Sequence, residues 1–240
     1  MLLEVKKLTK NFAGLTAVKE VDFHVKKGEI LGLIGPNGAG KTTLFNMISG
    51  FLNPTKGNIF LNGKDITGVS PPKICHLGVT RTFQIVKPLS QLTVLENVMV
   101  GVFSKIVDTE ETRKEAIKIL EFTGQLHQKD LKASSLPLGV RKRLEISRAL
   151  GTRPELLLLD ECMAGLNPHE ISDAIELIGK IKKNGTTLIV IEHVMKAIMA
   201  ISDRIVVINH GEKIMEGTPE EVANNQEVIK AYLGEDYVRR

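Results

Sequence analysis

Tryptophan is absent from the 240 residues, and cysteine occurs only at Cys75 and Cys162, far apart and in no C-x-x-C arrangement. That scarcity excludes a disulfide framework, points away from a zinc site and makes a reducing cytoplasm the expected compartment. Long apolar runs are missing too: no stretch reaches the ~18 uncharged apolar residues that a membrane span requires. The opening MLLEVKKLTK carries Glu4 and bases soon after it, with no apolar core, so no targeting leader is expected there. If the protein works at a membrane, another chain must carry it there. Charge of one sign is in short supply as well, since 32 Lys and Arg against 28 Asp and Glu leave a net charge of +4. An excess so mild and so dispersed is unlike a nucleic-acid binder, which gathers its cations on one face or in an arm, and no such partner is expected. Repeats, low-complexity segments and long linkers are also lacking.

What is present is an alternation of strand and helix patterns. In VDFHVKKGE, Val21, Phe23 and Val25 point to one side as in a half-buried strand, and NIFLNGKDI reads as a hairpin turning at Asn62 and Gly63, so the first third is partly antiparallel. EILGLIG, ELLLLDE, TTLIVIEH and DRIVVINHG are short, nearly continuous apolar runs, which suit strands covered on both faces in a parallel sheet. PHEISDAIELIGKIKKNG repeats Ile171, Ile175, Ile178 and Ile181 at helical spacing and stops at Gly185. The class is therefore α/β. Residues 84–150 differ, with LTVLENVMVGV and EETRKEAIKILEFTG helix-like and no strong strand between them, which predicts a helical insertion into an α/β body formed by 1–83 and 151–240.

The strongest chemical signal is GPNGAGKTT, which fits G-x-x-x-x-G-K-[ST] with Gly35, Gly40, Lys41 and Thr42, between a predicted strand and a predicted helix. Glycines let successive amides curl around phosphate oxygens while the helix N-terminus adds its positive end. Asn37, Gly38 and Thr43 complete the loop, Lys41 is expected to reach the β- and γ-phosphates, and Thr42 to ligate Mg²⁺. LLLLDE ends a buried strand in two acids whose side chains should diverge, because strand residues alternate. Asp160 suits the Mg²⁺ shell, and Glu161 suits activating a water for in-line attack on the γ-phosphate. His193 ends the next strand at the same edge of the sheet, where open α/β folds place ligands.

These elements in this order resemble the nucleotide-binding subunit of an ATP-binding cassette transporter, over essentially the whole chain. The resemblance implies a P-loop NTPase core with a mostly parallel sheet, an N-terminal antiparallel β subdomain and an inserted helical subdomain. It also implies that Phe12 in KNFAG stacks on the adenine of ATP, that Gln84 in RTFQ senses Mg²⁺ and the membrane partner, and that AGLNP (164–168) is a loop exchanged between paired subunits. By the same likeness, the segment before the basic run of Arg141, Lys142 and Arg143 is the signature, commonly Leu-Ser-Gly-Gly-Gln, which caps ATP held by the opposite subunit. Here it reads Leu136, Pro137, Leu138, Gly139, Val140. Proline lacks the serine hydroxyl and a backbone N–H, so two phosphate donors vanish, while Gly139, the helix start and Arg141 keep some attraction to phosphate. Cys162 is a second departure, standing where the family usually has proline.

TRTFQ, LTVLENVMVG, AGLNP and GTPEEVANNQEVIKAYLG together look most like ATPase subunits of branched-chain amino-acid importers. Those subunits usually work as two different ATPases beneath two membrane-spanning permeases, on the cytoplasmic face of the membrane. The final YLGEDY also resembles the ATPase of lipopolysaccharide export, which ranks second. An ATP-dependent clamp on nucleic acid ranks third, because the coiled-coil or zinc insertions and paired cassettes of such proteins are not seen.

Overall fold

Strands β1 (Leu3–Phe12) and β2 (Leu15–Val25) form an antiparallel hairpin, and β4 (Lys56–Leu61) and β5 (Lys64–Asp65) join them in a sheet of order β2-β1-β4-β5. The computed structural model describes residues 1–84 and 88–233, apart from the side chain of Leu233. The hairpin expected at Asn62 and Gly63 is the β4–β5 connection, with Leu61 paired to Lys64. β1 left no clean alternation in the sequence because its pairing is broken by register shifts after Val5 and Leu8, and Lys7 sits at φ 47°.

The second sheet runs β10-β9-β3-β8-β7-β6. Its parallel members are β3 (Ile30–Ile34), β6 (Val79–Arg81), β7 (Leu156–Asp160), β8 (Thr187–Ile191) and β9 (Arg204–Asn209), and β10 (Glu212–Gly217) pairs antiparallel at one edge. Four of these strands are the apolar runs of the sequence. Alternate residues enter different cores: Leu31, Leu156, Leu158 and Ile189 pack with the first sheet and with α1 (Lys41–Ile48), whereas Ile30, Leu157, Leu159 and Leu188 pack on the other face. Both faces are therefore buried. At about 1.5–3 kcal/mol for each large aliphatic side chain removed from water, this double coverage is the main stabilisation of the sheet.

The second face is covered by α6 (Pro168–Lys183) and α7 (Met195–Ile201). Asn167 caps α6 in a reciprocal capping box with Glu170, Pro168 opens it, and Gly185 at φ 90° follows its end. Ile178 and Ile181 are fully buried there, and Ile171 and Ile175 pack at the margin of the same core. Short α2 (Pro71–His76) leads into β6, and α8 (Pro219–Ala223) and α9 (Gln226–Leu233) follow β10. Residues 234–237 of YLGEDY lie outside the described residues.

Among the described residues between β6 and β7 no strand intervenes. Helices α3 (Val94–Val102), α4 (Thr109–Phe122) and α5 (Leu138–Gly151) meet in a core of their own, through Val94, Val98, Leu120 and Leu144. Contact between α3 and α5 is close: a Cβ added to Gly101 would fall 2.1 Å from the Arg148 carbonyl oxygen.

Candidate active site

The C-terminal ends of β3, β6, β7 and β8 open on one edge of the sheet, and the chemistry-bearing residues follow them directly. After β3 the loop climbs from Gly35 to α1. Gly40 caps that helix at φ 105°, and a Cβ there would lie 2.5 Å from the Ala17 carbonyl oxygen; at Gly35, one would lie 1.9 Å from that of Ile208. Both positions exclude a side chain, so the backbone amides can face a ligand. Lys41 is buried, and its Nζ donates to the carbonyls of Gly35 at 2.6 Å and Pro36 at 2.8 Å. Burial lowers the Lys41 pKa, and the charges of Glu161 and Asp160 oppose that shift.

Asn37, Gly38, Gly40, Lys41, Thr42 and Thr43 share a cleft of about 640 Å³ with Gln84, Glu161 and His193. Across it the Glu161 carboxylate is held at both oxygens. Gln84 Nε2 donates to Oε2 at 2.8 Å, and His193 Nε2 lies 2.8 Å from Oε1, bonding there in the Nε2–H tautomer. Asp160 does diverge from Glu161: it is 1% exposed beneath the cleft, while the Glu161 carboxylate faces the cleft.

Asp160 has a partner that the sequence reading passed over. Arg81, the end residue of β6, donates from one guanidinium nitrogen to Asp160 Oδ2 at 2.7 Å and from the other to Asn46 Oδ1 of α1 at 2.5 Å. The guanidinium lies over the rings of Phe45 and Phe83, with centroids at 5.6 and 5.1 Å. Burial raises the Asp160 pKa, and the hydrogen bond and charge of Arg81 work against the rise. The only signal in the sequence was a cation two residues ahead of Phe83 and three ahead of Gln84, with nothing to show that it points inward.

Phe12 and Gly139, both expected at the nucleotide, lie away from this cleft. Phe12 ends β1, 44% exposed, with Lys10 Nζ 5.2 Å from its ring centroid. Gly139 is in the first turn of α5 and lines a separate cavity of about 170 Å³ against α6, where a Cβ would meet Glu170 Oε1 at 2.4 Å. Pro137 caps α5 without a side-chain bond. In the basic run beside it, Arg141 Nε donates to the Leu136 carbonyl at 2.6 Å, which leaves the other guanidinium donors and the charge in place. Lys142 Nζ donates to the Glu161 carbonyl at 2.7 Å, and Arg143 to Asp173 at 3.3 Å. Each of these three cations has a hydrogen-bond partner within the chain.

The C-terminal helix also reaches the loop. Tyr232 of α9 is 37% exposed, yet its hydroxyl meets the Gly35 backbone, and desolvation pushes its pKa up to about 12.

A strand, a glycine-rich turn, a helix-opening Lys-Thr pair and an Asp-Glu pair on a parallel sheet together define a P-loop nucleoside triphosphatase. The ABC transporter family profile matches residues 18–164, and a profile described as branched-chain amino acid ATP-binding cassette transporter matches residues 212–238. The chain is 44% identical to the high-affinity branched-chain amino acid transport ATP-binding protein LivG of Salmonella typhimurium, with 98% of each chain covered. It is 42% identical to BraF of Pseudomonas aeruginosa, a protein of the same description, again over 98% of each. Among solved structures, a nucleotide-free ATP-binding cassette from an ABC transporter superposes with a TM-score of 0.89 at 34% identity, covering 98% of this chain and 99% of that one. An ATP-binding cassette in its ADP conformation does so with a TM-score of 0.90 at 35% identity, at the same coverage. This chain belongs to the ABC transporter family and is an ATP-binding, ATP-hydrolysing subunit of such a transporter.

Proposed function

We propose that the chain hydrolyses ATP to drive import of branched-chain amino acids, as a peripheral subunit on the cytoplasmic face of the membrane, beneath permease subunits and beside a second ATPase of different sequence. The observation that carries the substrate class is the match of residues 212–238 to the branched-chain cassette profile, in a segment outside the general cassette match. No helix among the described residues is long and apolar enough to cross a membrane, which suits a subunit that needs permease partners. The surface offered to them here lies beside Gln84, where exposed Phe51 and Phe83 pack edge to face at 5.5 Å and Phe83 shares a cavity lining with exposed Val100.

In this reading Lys41 and the loop amides bind the β- and γ-phosphates, and Phe12 stacks on adenine. Thr42, Gln84 and Asp160 would hold Mg²⁺: all three offer oxygen donors, and buried Asp160 Oδ1 has no hydrogen-bond partner among the described residues. When bound, the ion neutralises phosphate charge. Glu161 takes the proton of the attacking water, with Gln84 and His193 orienting its carboxylate. Gly139 faces the ATP held by the partner ATPase.

The test is uptake of labelled leucine, isoleucine and valine by cells lacking the chain. The wild-type gene should restore uptake and Glu161→Gln should not. Unchanged uptake with failure of lipid export would move the assignment to the second reading, and copurification with nucleic acid in place of membrane protein would move it to the third.

A further inference from the structure

The turn after Asp160 carries the reacting carboxylate on a backbone that does not hold itself. Glu161 has φ 49°, left-handed for a residue with a Cβ, a conformation that costs about 1–3 kcal/mol and persists only where neighbours impose it. Its N–H is tied to Ile191 O at 2.9 Å, and its carbonyl accepts from Lys142 Nζ at 2.7 Å and weakly from the Ala164 N–H at 3.3 Å. Two residues on, the Met163 N–H donates to Glu192 Oε1 at 2.7 Å. Lys142 and Glu192 are 7% and 1% exposed, burial that these residue types rarely reach. They come from different parts of the fold, α5 and the residue after β8, and the side chain of each bonds a backbone group of residues 161–163.

We infer that Lys142 and Glu192 are positioning residues, a two-sided clamp on the backbone of residues 161–163 that sets the Glu161 carboxylate for the attack on ATP. The inference rests on the reading of Glu161 as general base. A buried cation and anion contribute little net stability over apolar residues of the same shape, so stability alone does not account for them. Their hydrogen bonds go to the two backbone groups that flank the left-handed turn. Cys162 sits inside the clamp, its thiol pKa raised by burial and by the neighbouring Glu192 charge. A proline there has no N–H and a fixed φ, so it stiffens the turn by itself; with cysteine the stiffness must come from outside.

The experiment measures ATP hydrolysis by the full chain against ATP concentration, with nucleotide affinity and thermal stability measured on the same preparations. Lys142→Met should lower kcat by about tenfold or more while KM and nucleotide affinity stay within about threefold, the pattern of a lost transition-state interaction. Lys142→Arg, which keeps a donor and a charge, should recover part of the loss. Lys142→Met leaves Glu192 buried without its cation, so the double variant Lys142→Met with Glu192→Gln guards against simple unfolding. It should return stability close to wild type and leave kcat low. Recovery of kcat together with stability in the double variant overturns the clamp, as does a loss of nucleotide affinity equal to the loss of kcat. Glu161→Gln in parallel separates the two readings. If it abolishes turnover while Lys142→Met keeps the wild-type kcat, the clamp fails and the base stands; if it turns over normally, the base assignment fails and takes the clamp with it.

Discussion

Arg81 couples the chemistry of the cleft to the stability of the fold, because it is the cation facing a carboxylate that burial would otherwise neutralise. Asp160 has a raised pKa, so the folded state holds its proton more tightly than the unfolded chain, and stability falls as pH rises from the unfolded value through the folded one. Arg81→Met removes the opposing influence and leaves the desolvation, which widens that window and moves the acid limb of the kcat/KM profile to higher pH. Denaturant unfolding at neutral pH should show a loss of about 3–5 kcal/mol, the cost of stranding a buried charge. A wild-type profile and stability would show that Asp160 does not depend on Arg81. Gln84→Ala, which removes one of the two side chains bonded to the Glu161 carboxylate among the described residues, should impair coupled transport more than nucleotide affinity; an equal loss of both in the complete transporter would make Gln84 a ligand of the site only. Gln84, Glu161 and His193 were legible because each follows a motif or a strand end. Arg81, Lys142 and Glu192 were not, since a charged residue in sequence carries no sign of being buried and its partner is far along the chain.

The elements were legible in proportion to the regularity of their burial. β3, β7, β8 and β9 are buried on both faces and read as apolar runs; α6 carries both its caps and its isoleucine spacing in the sequence. β1 is bulged, β6 has three residues and β10 is an edge strand only partly buried, so none leaves a period to find. α5 shows the cost of an unusual start. Pro137 has the extended backbone of an N-cap, φ −65° and ψ 163°, but no side-chain acceptor for the amides of the first turn. Pro137→Ser supplies one without disturbing that backbone and should stabilise the protein by about 1 kcal/mol, read as a higher midpoint in thermal unfolding. A lower midpoint would mean that the rigidity of proline matters more at this junction than the cap.

At the scale of the whole molecule, the phosphate loop and Glu161 line one cleft, with Asp160 buried behind Glu161, while Gly139 and the proline-capped loop stand apart from it on α5. In the proposed head-to-tail pair of cassettes, residues 136–140 would face the partner's ATP and the phosphate loop of this chain would face the partner's signature. On that proposal, pairing with itself would give two poor sites, and pairing with a different ATPase would permit one good one. The proposed asymmetry was readable in the sequence because it lies in the residue types of one short loop, whereas the proposed substrate left its trace only in family likeness. Steady-state phosphate release at saturating Mg²⁺-ATP tests the account most directly, using the purified chain alone and the same chain with Pro137→Ser, Leu138→Gly and Val140→Gln. The restored loop should raise the rate by about tenfold or more, the worth of one regained charge-assisted hydrogen bond. Equal rates for the two proteins would contradict it, leaving residues 136–140 a tolerated loop with no part in closing an ATP site.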